Sequence, residues 1–205
     1  MNEQLIIRTI ISRLEDCIEF TAPFNLKKIQ SYCYDNRDLF LRYHRDDKHD
    51  QRRTALPLVN KTGEPDDSSF INLTGTGYDE SNFTAKTKYY YESGLNEVLD
   101  LFGNSLRRTH IINCKQGGYF KPHRDGPVSL NTAAEETVRF LICIDNCDNK
   151  HFHFVLENKV LPLRTGKIFY INTLKKHSAF SFNEDCFFVI INAALNKDLY
   201  SIIDR

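Results

Sequence analysis

The stretch CKQGGYFKPHRDG (114–126) carries a histidine and an aspartate two positions apart, His123 and Asp125. Side chains at i and i+2 of an extended strand share a face. An imidazole and a carboxylate placed there can therefore turn toward one ion. A third ligand waits far along the chain: His177, in NTLKKHSAFSF (172–182), follows a polar turn at the head of a predicted strand. Two imidazoles and one carboxylate leave three cis positions of a metal open. That set suits Fe(II) with a chelating co-substrate and O2. An H-x-D by itself also occurs as ordinary turn or surface polarity. The spacing to His177, across about five predicted strands, separates this pair from that background.

A competing constellation lies in CIDNCDNKHFH (143–153), where Cys143, Cys147, His151 and His153 offer a C-x3-C and an H-x-H. Two Cys and two His can hold structural zinc, though these spacings are atypical. The bland alternative is a buried Cys143, a loop Cys147 and two histidines at the surface or lining a substrate entrance.

The elements that must position these residues change in texture near residue 105. Before it, QLIIRTIISRLEDCIEF (4–20) mixes two periodicities, PFNLKKIQSYCYD (23–35) reads as a short helix and SSFINLTGTG (68–77) as a strand leaving into a turn. GLNEVLDLFGN (94–104) reads as the best helix, with Leu95, Val98, Leu99 and Phe102 on one face and Gly103 ending it. RYHRDDKHDQRRT (42–54) is a charged run, either a solvated loop or a lid over the site. After residue 105, eight short β-type segments are predicted at 107–115, 118–125, 137–144, 151–157, 159–163, 167–173, 177–182 and 186–193. Turn residues divide them. The expected fold is mainly β: a mixed helix and strand N-terminal region (1–104) packed on a double-stranded β-helix, or cupin-like jelly roll (105–195), in one domain (1–205).

Composition narrows the function. The chain has 205 residues, 27 basic and 27 acidic side chains and no net charge. Nothing in that balance draws it to nucleic acid or an anionic membrane. No apolar run reaches the ~18–20 residues of a membrane span, and the N-terminus lacks the basic flank of a signal peptide. A cytoplasmic location is expected, with the six cysteines as free thiols.

The motifs also carry a family resemblance. CKQGGYFKPHRDG is similar to the approach to the iron site in 2-oxoglutarate-dependent oxygenases, the prolyl-hydroxylase-like and aspartyl/asparaginyl-hydroxylase-like groups included. LPLRTGKIFYINTLKKHSAFSF (161–182) resembles their second half: a glycine turn, an apolar strand, an Asn or Asp, then the distal His. The resemblance covers about 105–195. It implies Fe(II) at His123, Asp125 and His177, with 2-oxoglutarate and O2 as co-substrates. Decarboxylation to succinate and CO2 would accompany hydroxylation of an amino acid or peptidyl side chain.

The co-substrate residues depart from the family pattern. Many relatives place an Arg or Lys about ten residues past the distal His, yet position 187 is Phe and no basic residue lies between His177 and Lys197. A buried carboxylate still needs a cation or strong donors. Arg139, in TVRFLICID, stands about where some relatives carry a basic residue after H-x-D, and its fork matches a carboxylate. It could instead snorkel to solvent or bind substrate; Lys167 and Arg108 are runners-up. Asn192, in VIINAAL, would lie beside the 1-carboxylate or act as a structural amide. Tyr119 could offer its hydroxyl or simply pack, and Asn113 is a weaker candidate. Two other functions compete: a nucleobase demethylase with the same metal chemistry, and a non-catalytic β-helix binding module.

Overall fold

The structure, a computed structural model, describes residues 15–43, 51–71, 79–125 and 137–203. Its layering follows from alternation. In the strand Cys186–Ala194, sequence CFFVIINAA, every residue is buried. Phe187, Val189 and Ile191 point to one core, and Cys186, Phe188 and Ile190 to another. A strand covered on both faces must be apolar throughout.

The strands in chain order are β1 (Cys17–Phe20), β2 (Leu41–Arg42), β3 (Arg53–Asn60), β4 (Ala85–Lys86), β5 (Leu106–Cys114), β6 (Tyr119–His123), β7 (Thr137–Asp145), β8 (Phe152–Leu156), β9 (Lys159–Val160), β10 (Ile168–Ile171), β11 (His177–Ser181) and β12 (Cys186–Ala194). They form two antiparallel sheets. The major sheet runs β1-β10-β7-β12-β5-β3-β2, with β4 beside β3; the minor sheet runs β6-β11-β8-β9. One core fills the space between the sheets. The other lies on the major sheet's outer face, under helix α1 (Leu26–Asp35), through Ile29 and Cys33, helix α2 (Lys88–Glu92), through Tyr89 and Tyr90, and helix α3 (Asn96–Leu99), through Val98 and Leu99. This is the expected double-stranded β-helix, and each of the eight segments predicted after residue 105 overlaps one of its strands.

The N-terminal region does more than pack on that barrel. It supplies β1 to β4, all hydrogen-bonded into the major sheet. β3 lies beside β5 although it contains Pro57, which sits at a register shift between Pro57 and Val59. A bulge is where a sheet tolerates a residue that cannot donate.

Three local expectations need correction. The helix expected over 94–104 is broken: α3 passes into a 3₁₀ stretch, Asp100–Ser105, with Gly103 at φ 49° and ψ −131°. A Cβ at Gly103 would stand 2.8 Å from Asp198 Oδ2, the atom that accepts from Asn104 N. The strand expected over 68–77 begins as a 3₁₀ turn, Ser68–Phe70, because Asp67 Oδ1 accepts from Ser69 N at 2.8 Å; residues 72–78 lie outside the described residues. The strand expected over 118–125 ends at His123. Of the charged run 42–54, Arg42 belongs to β2 and Arg53 and Thr54 to β3; 44–50 lie outside the described residues, as do 4–14 of the ambiguous first segment.

Candidate metal centre

His123 is exposed at the rim of the barrel, and an irregularity brings it beside His177. In β6, Phe120 pairs with Ala179 and faces the inner core. Strict alternation would then turn Pro122 inward and His123 outward. A register shift between His177 and Ala179 reverses the parity, so His123 pairs directly with His177. Before β6 the chain turns tightly at Gly118, where a Cβ would meet the carbonyls of Arg52 and Lys115 at 2.7 Å.

Asp125 follows the strand's end. Its backbone N–H donates to the Thr173 carbonyl at 2.9 Å, which ties it to the segment leading into His177. The three side chains converge. His123 Nε2 lies 3.6 Å from Asp125 Oδ1, and His177 Nε2 lies 3.7 Å from Oδ2. One ligand atom from each residue falls within 4.8 Å of the others.

Both imidazoles are set for ligation. Nδ1 of His123 meets the Lys121 carbonyl at 2.6 Å, and Nδ1 of His177 meets the Lys175 carbonyl at 3.0 Å. A carbonyl only accepts, so each Nδ1 carries the proton and each Nε2 presents a lone pair. Phe154 of β8 stacks parallel on His177, centroids 5.6 Å apart, and fixes its ring. Burial holds the His177 pKa below its usual value, which favours the neutral, ligating form. Burial alone would raise the Asp125 pKa, but opposing causes, the charge of Arg139 first among them, outweigh it and the net shift is downward.

Arg139 of β7 places Nη2 3.0 Å from Asp125 Oδ2. The pair is not aligned as a hydrogen bond: among the described residues, Asp125 Oδ2 and Arg139 Nε are both buried without a hydrogen-bond partner. A buried oxygen and a buried N–H left unmatched beside a three-ligand cluster fit a cation and an anion that bind there. The donor set also suits a borderline ferrous ion.

The other candidates fall in different places. Asn192 of β12 stands opposite Arg139 in the register, and its Nδ2 donates to Glu80 Oε1 at 2.9 Å. Arg108 of β5 pairs with the same Glu80 carboxylate. Lys167 is not brought to the site: it donates to Thr21 Oγ1 and lies 3.6 Å from Glu19. Tyr119 is not brought there either. It pairs across β6 and β11 with Phe180, which is exposed, so it lies on the minor sheet's outer face. Asn113 pairs with Phe187, whose side chain belongs to the outer core. Cys143, Cys147, His151 and His153 form no ligand cluster; the triad is the only such group among the described residues. His153 instead packs on Phe182 and meets the Asn149 carbonyl.

The sequence reading missed Phe154, Thr173 and Glu80. Alternation in β8 could have found Phe154, since Phe152, Phe154 and Leu156 are its buried set. Nothing local marks Glu80.

No family model matches the chain, and no curated protein matches it. Solved structures do resemble it. HygX from Streptomyces hygroscopicus, with nickel and 2-oxoglutarate bound, is 11% identical with a TM-score of 0.51, over 95% of this chain and 87% of that one. The viral collagen prolyl hydroxylase of Paramecium Bursaria Chlorella virus-1, as its 2OG complex, is 7% identical with a TM-score of 0.50, over 88% and 96%. A 2OG-Fe(II) oxygenase family oxidoreductase from Burkholderia pseudomallei is 12% identical, with a TM-score of 0.48 over 95% and 90%. At these identities the likeness is one of fold. Among the described residues, no helix is long and apolar enough to cross a membrane.

Proposed function

We propose that the protein is an Fe(II)- and 2-oxoglutarate-dependent dioxygenase that hydroxylates an amino acid or a peptidyl side chain. The observation that carries this reading is the convergence of His123, Asp125 and His177 with both Nε2 atoms turned to Asp125. His123, Asp125 and His177 would hold the ion. A ferrous ion bound there supplies the O2 chemistry that couples conversion of 2-oxoglutarate to succinate and CO2 with hydroxylation.

The remaining residues bind and orient. At this end of the barrel the inward guanidiniums of Arg139 and Arg108 are matched by the carboxylates of Asp125 and Glu80. Those four side chains sum to zero, so a divalent ion leaves an excess of two positive charges. A dicarboxylate such as 2-oxoglutarate cancels that excess. Arg139 keeps Nε for a ligand oxygen while Nη2 steadies Asp125, and Phe154 keeps water from one face of His177.

The test is an anaerobic titration of metal-free protein with Fe(II) and 2-oxoglutarate, followed by visible absorption. A weak charge-transfer band is expected in the wild type and absent from His123→Ala and His177→Ala. A wild type with no band, and no 2-oxoglutarate binding by calorimetry, would overturn the assignment.

A further inference from the structure

Arg139, Asn192 and Arg108 stand on the adjacent strands β7, β12 and β5. Asn192 is the direct cross-strand partner of Arg139, and its amide shares an acceptor with Arg108. That acceptor is Glu80 Oε1, which takes Asn192 Nδ2 at 2.9 Å and Arg108 Nε and Nη2 at 3.3 Å each. All three side chains are buried. Glu80 comes from outside the barrel strands, in the 3₁₀ turn Glu80–Asn82. Asp79 Oδ1 caps that turn at Ser81 N, and Phe83, fully buried, donates its N–H to the Glu80 carbonyl. These contacts order the turn that carries the Glu80 carboxylate.

We propose that Glu80 is a built-in competitor for a ligand carboxylate: it occupies the Arg108 guanidinium and Asn192 amide that an incoming anion would use. The identity of the ligand, a dicarboxylate held at the triad end, rests on the reading under Proposed function; the existence of the anion site does not. The reach agrees. β7 and β5 are separated only by β12, so Arg108 lies about 10 Å across the sheet from Arg139 at ~4.8 Å per strand. A ligand held at the triad would bring its far carboxylate toward Arg108, where Glu80 already sits. Its affinity is set by the difference between two carboxylates on the same donors.

Removing the charge of Glu80 takes one carboxylate away from the buried Arg108 guanidinium, and an external carboxylate can take its place. The direction of the effect is what distinguishes a competitor from a strut. If Glu80 only oriented Arg108 and Asn192, neutralising it would loosen them and weaken anion binding.

The experiment measures 2-oxoglutarate binding to Fe(II)-loaded wild type and Glu80→Gln by calorimetry and the charge-transfer band. Tighter binding by the variant, by roughly tenfold, is expected, the scale of one charge-assisted hydrogen bond. Equal or weaker binding by Glu80→Gln, with the band intact, overturns the proposal and makes Glu80 a positioning residue. A second arm covers the case in which neither protein binds 2-oxoglutarate. Acetate is titrated into metal-free Glu80→Ala and wild type, with acetamide as the neutral control, and the melting temperature is followed. Stabilisation of the variant alone, by acetate alone, upholds the anion site while the dioxygenase reading fails. In that same case, no selective stabilisation by acetate ends the proposal.

Discussion

Two ends of one interior can be compared. At the triad end, the ends of β6, β10 and β12 and the starts of β7 and β11 bring together His123, Asp125, His177, Arg139 and Asn192. Arg108 and His110 of β5 lie beside them. At the opposite end, between the same sheets, stand Cys114, Cys143, Cys147, Phe152, Cys186 and Phe188, all buried in one cluster. Phe152 and Phe188 pack with centroids 5.2 Å apart, and Cys147 Sγ lies 3.2 Å from Cys186 Sγ. The apolar end closes because its side chains satisfy one another by contact. The triad end cannot close that way. Its charges need partners, and Asp125 Oδ2 and Arg139 Nε still lack hydrogen bonds. One sheet pair thus supports a stable floor and a reactive mouth, and the two should separate experimentally.

The largest effect is expected at the floor. Phe188→Ala removes a fully buried ring and should cost about 3–5 kcal/mol of stability. Its Fe(II) affinity per folded molecule should be unchanged. Urea denaturation and metal titration on the same preparation read both quantities. His177→Ala is the mirror case: it abolishes the metal signal while the fold loses about 0.5–3 kcal/mol, the ordinary range for a single substitution. If Phe188→Ala were stable but unable to bind metal, the division between floor and mouth would be wrong.

Much of the floor was legible in the sequence, and less of the mouth. Each of the eight segments expected after residue 105 overlaps a strand, because apolar runs and turn residues delimit them. β3 escaped notice because RTALPLVN opens in a charged run and contains Pro57, which reads as a break unless the bulge beside it is known. The triad was readable as residue types, yet the H-x-D argument assumed one strand and simple alternation. In the structure the strand stops at His123, and a register shift brings it beside His177. Which face Tyr119 takes was open for the same reason, since parity across β6 cannot be counted without its bulge. Glu80 had no local signature at all: one of two adjacent acids in YDESNF, it takes its meaning from Arg108 and Asn192, which lie 28 and 112 residues away.

An intermediate effect should sharpen the contrast through pH. His110 faces the triad end, opposite Ile190 and Pro57. Burial first, then the charges of Arg108 and Arg139, hold its pKa well below the usual histidine value. In the unfolded chain the same imidazole titrates near the ordinary value of about 6.5. Below that pH the unfolded state takes up a proton that the folded state refuses, so stability falls as pH drops, by at most ~1.4 kcal/mol per pH unit for this group. His177 adds to the loss with the same sign. Asp125 and Asp16, whose pKa values are lowered, give up their contribution only near and below pH ~4. Urea midpoints of the metal-free protein at pH 7.5, 6.5 and 5.5 should therefore decline, and His110→Leu should flatten the decline. Parallel profiles for the two proteins would remove His110 from the account.

The smallest effect concerns Lys167, which stands just before β10. That strand runs toward the triad end, where Ile171 pairs with Arg139. Four residues at ~3.3 Å each put Lys167 about 13 Å back along the strand from Ile171. Its Nζ is engaged with Thr21 and Glu19, and Arg164 shares Glu19. The Arg164 hydrogen bond leads the causes that lower the Glu19 pKa. Arg164 is largely exposed and Lys167 and Glu19 are partly so; an ion pair this near the surface contributes at most about 1 kcal/mol. Lys167→Ala should stay within that margin in urea denaturation and leave 2-oxoglutarate affinity by calorimetry unchanged. A marked loss of affinity in this variant would mean that the co-substrate's tail lies toward the floor, and the polar row of Arg139, Asn192 and Arg108 would lose its assigned part.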